Sequence, residues 1–258
     1  MTSSPAATSQ SSSPTESPPQ PPELRSDWAL FLDLDGTLLD LALTPTAVVV
    51  PDGLVDVLRR LHGRLNGALA IVTGRPLDDI DRLLAPLVLP VAGNHGASAR
   101  LPDGSQQALA PVSALPPAWR AEAEAACSQW PGTIVEPKPY SLALHYRLAP
   151  DRDREIHALL SRLAAERADD YEILKAHYAF ELRPRRADKG LAIERLMELV
   201  PFQGRVPVFI GDDVTDESGR AAARRLGGIG LDVAETFDGS AARVREWLAA
   251  AAAQSGEA

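Results

Sequence analysis

Two short acidic motifs supply residues that could carry out chemistry on a phosphate group. The first, DLDGT, contains Asp33 and Asp35, and the second, GDDVTDE, contains Asp212, Asp213 and Asp216. Carboxylates crowded into one place repel one another unless a cation lies among them. An oxygen-only ligand set suits Mg²⁺, which retains several waters and also binds phosphate oxygens. The motifs therefore predict a magnesium site that can receive a phosphate.

Asp33 and Asp35 are two residues apart, so their side chains point the same way from an extended chain. One carboxyl could attack the substrate while the other transfers a proton. A helix cap would explain any single acidic residue of this kind, but capping alone is a poor explanation of two motifs. The twelve-residue pattern of a calcium-binding loop is absent from the sequence.

The residues around these motifs indicate how they are positioned. Short apolar runs at 28–32 and 206–210 precede the two motifs, and a third run lies at 68–72. Such runs are typical of strands buried on both faces. Helical spacing at 53–65 and 77–84 completes a strand–helix–strand–helix pattern, which predicts an α/β fold with a parallel, Rossmann-like sheet. Ligands bind beyond the carboxyl ends of such strands, so we expect the five acidic side chains to converge there.

Two further residues fit phosphate chemistry. Thr73 directly follows the third apolar run, where its hydroxyl and nearby main-chain N–H groups could hold a phosphate oxygen. Lys189 precedes a predicted helix and offers a point charge. Taken alone, Thr73 would be read as a turn residue and Lys189 as a solvated lysine; the acidic motifs make the phosphate interpretation stronger.

The middle of the chain has a different pattern. Helical periodicity occurs at 118–128 and 151–166, and apolar and polar residues alternate at 141–147 and 178–183. Alternation is typical of strands with one exposed face, so a small α/β cap domain with a half-exposed sheet is predicted. The predicted divisions are a disordered Ser/Pro-rich tail at 1–26, a catalytic core at 27–107 and 184–258, and the cap at 108–183.

Composition excludes some partners. The chain of 258 residues has 35 acidic and 26 basic residues and a net charge of −9, which argues against nucleic acid but not against a small anion bound through a metal. The single cysteine, Cys127, excludes an intrachain disulfide and has no adjacent base to activate it as a nucleophile. No apolar run could span a bilayer, and the N-terminus lacks the features of a signal peptide. We expect a cytoplasmic monomer that does not bind membranes.

The chain resembles the haloacid dehalogenase superfamily of phosphatases in the order of four features: the DLDGT motif, Thr73, Lys189 and the GDDVTDE motif. The resemblance covers roughly residues 28–235. It implies that Asp33 is the nucleophile that forms an aspartyl-phosphate, that Asp35 is the acid and then the base, and that Thr73 and Lys189 bind the transferred group. It also implies a Mg²⁺ cofactor held by Asp33, Asp212 and the main-chain carbonyl of Asp35. The remaining predicted metal-site residues are Asp213 and Asp216.

A narrower resemblance is to the trehalose-6-phosphate phosphatase family. It rests on six segments: VTGR at 72–75, GNHG at 93–96, EPK at 136–138, LHYR at 144–147, ELRP at 181–184 and GDDVTDE at 211–217. It implies that the substrate is a sugar phosphate and that the substrate-binding residues are Gly74, Arg75, Asn94, His95, Glu136, Lys138, Arg147 and Glu181. In the alternative interpretation, the charged cap residues form only the solvated face of its sheet.

The resemblance leaves two matters open. Four residues before Glu181 the family usually has a lysine, whereas this chain has His177, with Lys175 two residues earlier; either could supply the contact. The core motifs also do not fix the sugar. The expected reaction is magnesium-dependent hydrolysis of trehalose 6-phosphate to trehalose and phosphate. The alternatives are hydrolysis of another sugar phosphate, such as sucrose 6-phosphate, and an inactive sugar-phosphate sensor.

Overall fold

The two strands that precede the acidic motifs are neighbours in the interior of a seven-stranded sheet. A computed structural model describes residues 21–109, 112–176 and 178–254. The sheet order is β11-β10-β1-β2-β3-β4-β5. Its strands are β1 (Trp28–Leu32), β2 (Leu69–Val72), β3 (Val91–Gly93), β4 (Ser98–Arg100), β5 (Gln106–Gln107), β10 (Val206–Gly211) and β11 (Ile229–Asp232).

The sheet is parallel from β11 to β3, and only the edge strands β4 and β5 are antiparallel. All residues of β1 and β2 are buried, as expected for strands covered on both faces. The predicted α/β class with a mainly parallel sheet is therefore confirmed. In register, Leu32 of β1 lies opposite Ile210 of β10, so the two strands end side by side.

Helices between the strands complete this core. They are α1 (Leu54–Arg64), α2 (Leu77–Leu84), α5 (Lys189–Met197), α6 (Glu217–Arg225), α7 (Val233–Thr236) and α8 (Ala241–Ala253). In α1, Leu54, Leu58 and Leu61 are buried because their spacing places them on one helix face. Helix α1 packs against α8, and α5 packs against α6.

A smaller α/β unit lies between the two parts of the core in sequence, and we call it the cap. Its antiparallel sheet has the order β6-β7-β9-β8. Its elements are α3 (Pro117–Cys127), β6 (Ile134–Pro137), β7 (Leu142–His145), α4 (Asp153–Ala165), β8 (Tyr171–Ala176) and β9 (Ala179–Pro184). Phe180 and Leu182 of β9 join a hydrophobic cluster with Trp119 of α3 and Leu160 of α4. The intervening Glu181 lies on the other face, as the alternating sequence indicates.

Some boundaries differ from the expected ones. The strand expected at 141–147 ends at His145, because the chain then turns and the N–H of Ala149 bonds to the Tyr146 carbonyl. Leu24, which falls in the predicted tail, is 3% exposed and joins the core cluster, and Pro22 O accepts a hydrogen bond from Trp247 Nε1. Residues 1–20 lie outside the described part, and the domain limits drawn from the sequence stay predictions. Among the described residues, no helix has both the length and the apolar character needed to cross a membrane.

Candidate active site

A cluster of three carboxylates lies where β1 and β10 end. Asp33 follows β1, Asp212 follows β10, and Asp216 lies in the short helical turn after β10. Each contributes one oxygen, and these three oxygens lie within 4.8 Å of one another. Gly36 is essential to this packing, because a Cβ atom there would lie 2.0 Å from Asp212 Oδ2 and the residue has a φ of +79°.

Lys189 joins this cluster from the first residue of α5. Its Nζ donates hydrogen bonds to Asp33 Oδ1 at 2.6 Å and to Asp216 Oδ1 at 2.5 Å. Burial alone would lower the pKa of Lys189, but the charges of Asp216 and Asp33 raise it above its ordinary value. The lysine is therefore a permanent cation, and not the solvated side chain of the alternative interpretation.

One lysine does not neutralise three clustered carboxylates, of which Asp33 and Asp216 are buried. Burial, together with the charge of Asp216, raises the pKa of Asp33 well above its usual range, although Lys189 opposes the shift. Burial and the same neighbour raise the pKa of Asp212 to about 7. The raised pKa values of these carboxyl groups mean that the cluster has excess negative charge, which a bound cation would compensate. Its donors are all oxygens, so the residues fit a hard divalent ion such as Mg²⁺.

The structure does not bring the side chains of Asp35 and Asp213 into this cluster. The carboxylate of Asp35 accepts two hydrogen bonds from Arg75, at 2.6 and 2.8 Å. Asp213 Oδ1 accepts the N–H of Val214 at 2.6 Å, and the Asp213 N–H donates to Asp216 Oδ2 at 3.0 Å. Asp213 therefore caps a helical turn, so the capping interpretation holds for this residue.

The phosphate-binding candidate Thr73 follows β2 and is buried. Its Oγ1 accepts the N–H of Arg75 at 3.3 Å, which bends the chain after the strand. Arg75 also approaches Asp79 at 3.5 Å. This turn places Thr73, Gly74 and the Arg75 fork beside the carboxylates, at the same edge of the sheet.

A second polar cluster connects the cap with the core and consists of His95, Lys138, Ser141 and Glu181. Lys138 Nζ donates to Glu181 Oε1 at 3.2 Å and to the Gly74 carbonyl at 3.1 Å. Ser141 Oγ donates to Glu181 Oε1 at 2.6 Å, and His95 Nε2 lies 3.2 Å from Glu181 Oε2. We call this group the cap–core cluster.

Charges in the cap–core cluster are buried and compensated. Glu181 and the Lys138 side chain are each 8% exposed. Burial would raise the pKa of Glu181, but Lys138 and His95 hold it well below its usual range. Burial lowers the pKa of His95 despite the nearby Glu181 charge. The interpretation of these residues as a solvated sheet face is therefore wrong for Lys138 and Glu181.

His95 and Asn94 both have left-handed backbone conformations, with φ values of 55° and 49°. The His95 ring lies so close to Gly74 that a Cβ atom there would be 2.7 Å from it. Asn94 Nδ2 donates to Ser98 Oγ at 2.9 Å. His95 Nδ1 and Asn94 Oδ1 are buried and have no hydrogen-bond partner among the described residues. Both residues therefore shape the turn that follows β3.

One cavity of about 460 Å³ opens between the core and the cap. Nearly all the predicted site residues line it: Asp33, Asp35, Thr73, Gly74, Arg75, His95, Glu136, Lys138, Arg147, Glu181, Lys189, Asp212 and Asp213. Of the predicted set, Asn94 and Asp216 are not among the lining residues. Glu136 Oε2 lies 2.7 Å from His145 Nε2, and both residues face the cavity.

Apolar residues that sequence reasoning missed also line this cavity. Leu41 and Leu43 come from the core segment after the first motif, and Leu174 and Tyr178 come from the cap. Loop leucines carry no periodic signal that could have identified them. Tyr178 could have been noticed as an aromatic residue three positions before Glu181.

Lys175 does not occupy the place expected for the cap lysine of the family pattern. Lys175 lies over the ring of Phe180, with Nζ 5.6 Å from its centroid. Phe180 belongs to the helix-packed face of the cap sheet, and Lys175 is not among the described residues that line the cavity. The proposal that Lys175 supplies the contact is therefore not supported, and His177 lies outside the described residues.

The fold is similar to that of solved haloacid dehalogenase-like hydrolases. A hydrolase of that class from Bacteroides thetaiotaomicron superposes with a TM-score of 0.56 at 15% identity, over 84% of this chain and 98% of that one. The C-terminal domain of a Candida albicans trehalose-6-phosphate phosphatase superposes with a TM-score of 0.70 at 17% identity, over 90% and 97% of the two chains. At this level of identity the likeness concerns the fold.

The chain belongs to the trehalose-phosphatase family, whose model matches residues 31–249. It is 45% identical over 207 residues to a protein of Sinorhizobium fredii described as a probable trehalose-phosphate phosphatase, covering 80% of this chain and 78% of that one. It is 37% identical over 219 residues to the trehalose-6-phosphate phosphatase of Escherichia coli K12, covering 85% and 82%. The chain is therefore a phosphatase by family.

Proposed function

We propose that this protein hydrolyses trehalose 6-phosphate to trehalose and inorganic phosphate in a magnesium-dependent reaction. One observation carries the proposal: a single cavity joins the carboxylate cluster and Lys189 of the core to the buried charges of Lys138 and Glu181 in the cap. The core end suits a phosphoryl group, and the cap end suits a polyhydroxylated sugar. The names of the similar proteins support the choice of trehalose 6-phosphate.

The phosphate is bound by groups that already converge on the cavity. Lys189 supplies a fixed positive charge, and the hydroxyl and main-chain N–H groups around Thr73 supply neutral donors. The carboxylates of Asp33 and Asp212, with Asp216 behind them, would hold Mg²⁺. The bound ion would supply the remaining positive charge needed to accept a phosphate dianion next to these acids.

Asp33 is the proposed nucleophile because it directly follows strand β1 and lines the cavity. One of its carboxylate oxygens forms a bond to phosphorus while the bond from phosphorus to the sugar oxygen breaks. Asp35 gives a proton to that sugar oxygen. A water molecule then gives a proton to Asp35 and attacks phosphorus, which releases phosphate and restores the Asp33 carboxylate.

Arg75 controls the availability of Asp35 in this scheme. Its guanidinium group holds both oxygens of the Asp35 carboxylate. A phosphate group offers the guanidinium an equivalent two-oxygen acceptor. Movement of Arg75 from Asp35 to the substrate would leave Asp35 free to carry the proton that the leaving sugar oxygen needs.

Sugar recognition is assigned to the cap face that meets the core. Glu136, Lys138 and Glu181 line the cavity beside Arg147. Charged groups make stronger hydrogen bonds to hydroxyls than neutral groups do. They are preorganised by their contacts with one another, so that little ordering is needed when the substrate binds. We expect the protein to act as a monomer in the cytoplasm, and both expectations rest on the sequence alone.

The decisive experiment is phosphate release from a panel of sugar phosphates by the purified protein with Mg²⁺. Trehalose 6-phosphate should have the highest kcat/KM, above sucrose 6-phosphate and glucose 6-phosphate. EDTA should stop the reaction, Mg²⁺ should restore it, and Ca²⁺ should restore it poorly because its longer, less regular coordination misplaces the phosphate. Preference for sucrose 6-phosphate would select that substrate. Tight binding of trehalose 6-phosphate without turnover would show that the protein is a sensor.

A further inference from the structure

Tyr178 has a backbone conformation that is unusual for its residue type. It lies in the turn between β8 and β9 and has a φ of 56°. This left-handed region is unfavourable for a bulky L-residue, whereas Gly or Asn adopts it readily. Outliers of this kind persist where another requirement fixes the residue, and they are enriched at ligand-binding positions.

The ring of Tyr178 is held at the rim of the cavity. Arg147 Cζ lies 5.2 Å from the centroid of the Tyr178 ring. The ring of Tyr146 packs against it at 5.9 Å with an interplanar angle of 69°. Tyr178 is nevertheless 40% exposed, and it lines the cavity together with Arg147. A ligand in the cavity can therefore contact the aromatic ring of Tyr178 and the guanidinium group of Arg147 together.

The position of Tyr178 relative to Glu181 indicates which part of a bound ligand it contacts. Glu181 is in contact with His95 of the core. Tyr178 directly precedes β9, and Glu181 follows it by three residues, so their Cα atoms are at most roughly 10 Å apart. That separation is within the length of a disaccharide. A sugar held at Glu181 and Lys138 would therefore carry its second unit toward Tyr178.

We propose that Tyr178 is a specificity-determining residue that packs its ring against the C–H face of the sugar unit remote from the phosphate. Arg147 donates hydrogen bonds to hydroxyls of the same unit. This inference rests on the proposed function and names a further part of its substrate site. Pyranose rings present an apolar C–H face as well as hydroxyl edges, and an aromatic ring beside a cation matches both.

Apolar side chains of the core also line this cavity. Leu41 and Leu43 are 62% and 69% exposed and line it together with Tyr178. The lining therefore combines exposed apolar side chains with the carboxylates and Lys189. A ligand that carries both a phosphate group and an apolar-faced ring fits this combination.

The test compares substrate discrimination among three variants, with trehalose 6-phosphate and glucose 6-phosphate as substrates. In Tyr178→Asn, which accepts the left-handed conformation, the ratio of the two kcat/KM values should fall roughly three- to tenfold, through KM for the disaccharide. Tyr178→Phe should stay within about twofold of the wild-type ratio because it keeps the ring. The control Leu148→Asn removes an exposed cap side chain that does not line the cavity, and should leave the ratio unchanged.

Different results overturn the inference and the function separately. If the wild-type protein releases no phosphate from either sugar phosphate, the proposed function fails. Suppose instead that the wild type is active but Tyr178→Asn leaves the ratio of the two kcat/KM values unchanged. Tyr178 is then only a structural residue of the turn, and the same holds if both kcat/KM values fall equally and Tm falls with them. If Tyr178→Phe loses as much discrimination as Tyr178→Asn, the phenol hydroxyl makes the contact and ring packing is wrong.

Discussion

The ammonium group of Lys138, in the cap, donates a hydrogen bond to the main-chain carbonyl of Gly74, in the core, over 3.1 Å. Gly74 lies between Thr73 and Arg75, which face the proposed phosphate position. The same ammonium group bonds to Glu181 of the cap at 3.2 Å. One buried cation therefore connects the side of the cap proposed to bind the sugar with the turn proposed to bind phosphate.

This contact predicts that Lys138→Ala impairs more than sugar recognition. Loss of a hydrogen bond to a charged group costs about 1.5–3 kcal/mol, so kcat/KM for trehalose 6-phosphate should fall roughly ten- to a hundredfold. Turnover of p-nitrophenyl phosphate, which is too short to use the sugar contacts, should also fall, because the turn at Gly74 loses its support. Steady-state kinetics with both substrates measure the two effects.

Glu136→Ala is the matched comparison for Lys138→Ala. Glu136 lines the same cavity, contacts His145 of the cap at 2.7 Å and lies 3.9 Å from Lys138 Nζ. We expect Glu136→Ala to lower kcat/KM for trehalose 6-phosphate and to leave kcat/KM for p-nitrophenyl phosphate unchanged. Equal effects of the two substitutions on p-nitrophenyl phosphate would show that the Lys138–Gly74 contact does not support phosphoryl transfer.

Asp33→Asn should abolish turnover without unfolding the protein. The substitution removes the nucleophilic charge but keeps the shape of the side chain, and loss of a nucleophile typically lowers kcat by at least about a thousandfold. Because burial and Asp216 raise the pKa of Asp33, removing its charge relieves repulsion. The Tm of the metal-free variant should therefore be no lower than that of the wild type. A wild-type kcat in a correctly folded Asp33→Asn variant would rule out Asp33 as the nucleophile.

The stability of the metal-free protein should depend on the protonation of Asp212. The folded protein holds this proton up to about pH 7, whereas the unfolded chain releases it near pH 4. Over this range the folded state binds more protons, so the contribution of Asp212 to the free energy of unfolding decreases as pH rises. Urea unfolding in EDTA at several pH values measures the slope.

Asp212→Asn is the control for that pH dependence. It should have a less negative slope between about pH 4 and pH 7 than the wild type. His62 and His95 have lowered pKa values owing to burial and contribute with the opposite sign, but they are present in both proteins and cancel in the comparison. Parallel slopes would mean that Asp212 is not protonated in the folded protein.

The packing of His95 against Gly74 can be tested as a coupled pair. Gly74→Ala places a Cβ atom 2.7 Å from the His95 ring and should reduce the free energy of unfolding by about 1–3 kcal/mol. In a His95→Gly background, where the ring is absent, the same substitution should cost much less. Gly63→Ala in α1, where no atom lies within 4 Å, should instead stabilise the protein by about 0.5–1 kcal/mol. Additive effects at Gly74 and His95 would contradict the packing.

The sequence was sufficient for elements with a strong pattern. The run at 28–32 and the helical spacing at 77–84 coincide with β1 and α2, because burial on both faces and amphipathic spacing leave clear signals. The edge strand β5 was not predicted, since its two residues, Gln106 and Gln107, are polar and exposed. Tertiary packing alone defines such a strand.

For the site, the sequence predicted which residue types gather but not how they pair. Convergence of Asp33 and Asp212 follows from their positions after parallel strands. The pairing of Asp35 with Arg75 was not predictable, because it joins residues from different loops through side-chain geometry. Nor could periodicity reveal that Lys138 reaches across to Gly74. Such contacts depend on the orientation of the cap relative to the core, which no local pattern encodes.

The pairing of β1 with β10 has a consequence for biosynthesis. The two strands that carry the carboxylates are adjacent in the sheet, yet the whole cap lies between them in the chain. Pairing so remote in sequence gives a high contact order and is expected to form late in folding. During translation, a chain that has emerged only as far as the cap holds Asp33 but not Asp212. A nascent polypeptide therefore lacks the complete carboxylate cluster, and the activity proposed for it, until the C-terminal part leaves the ribosome.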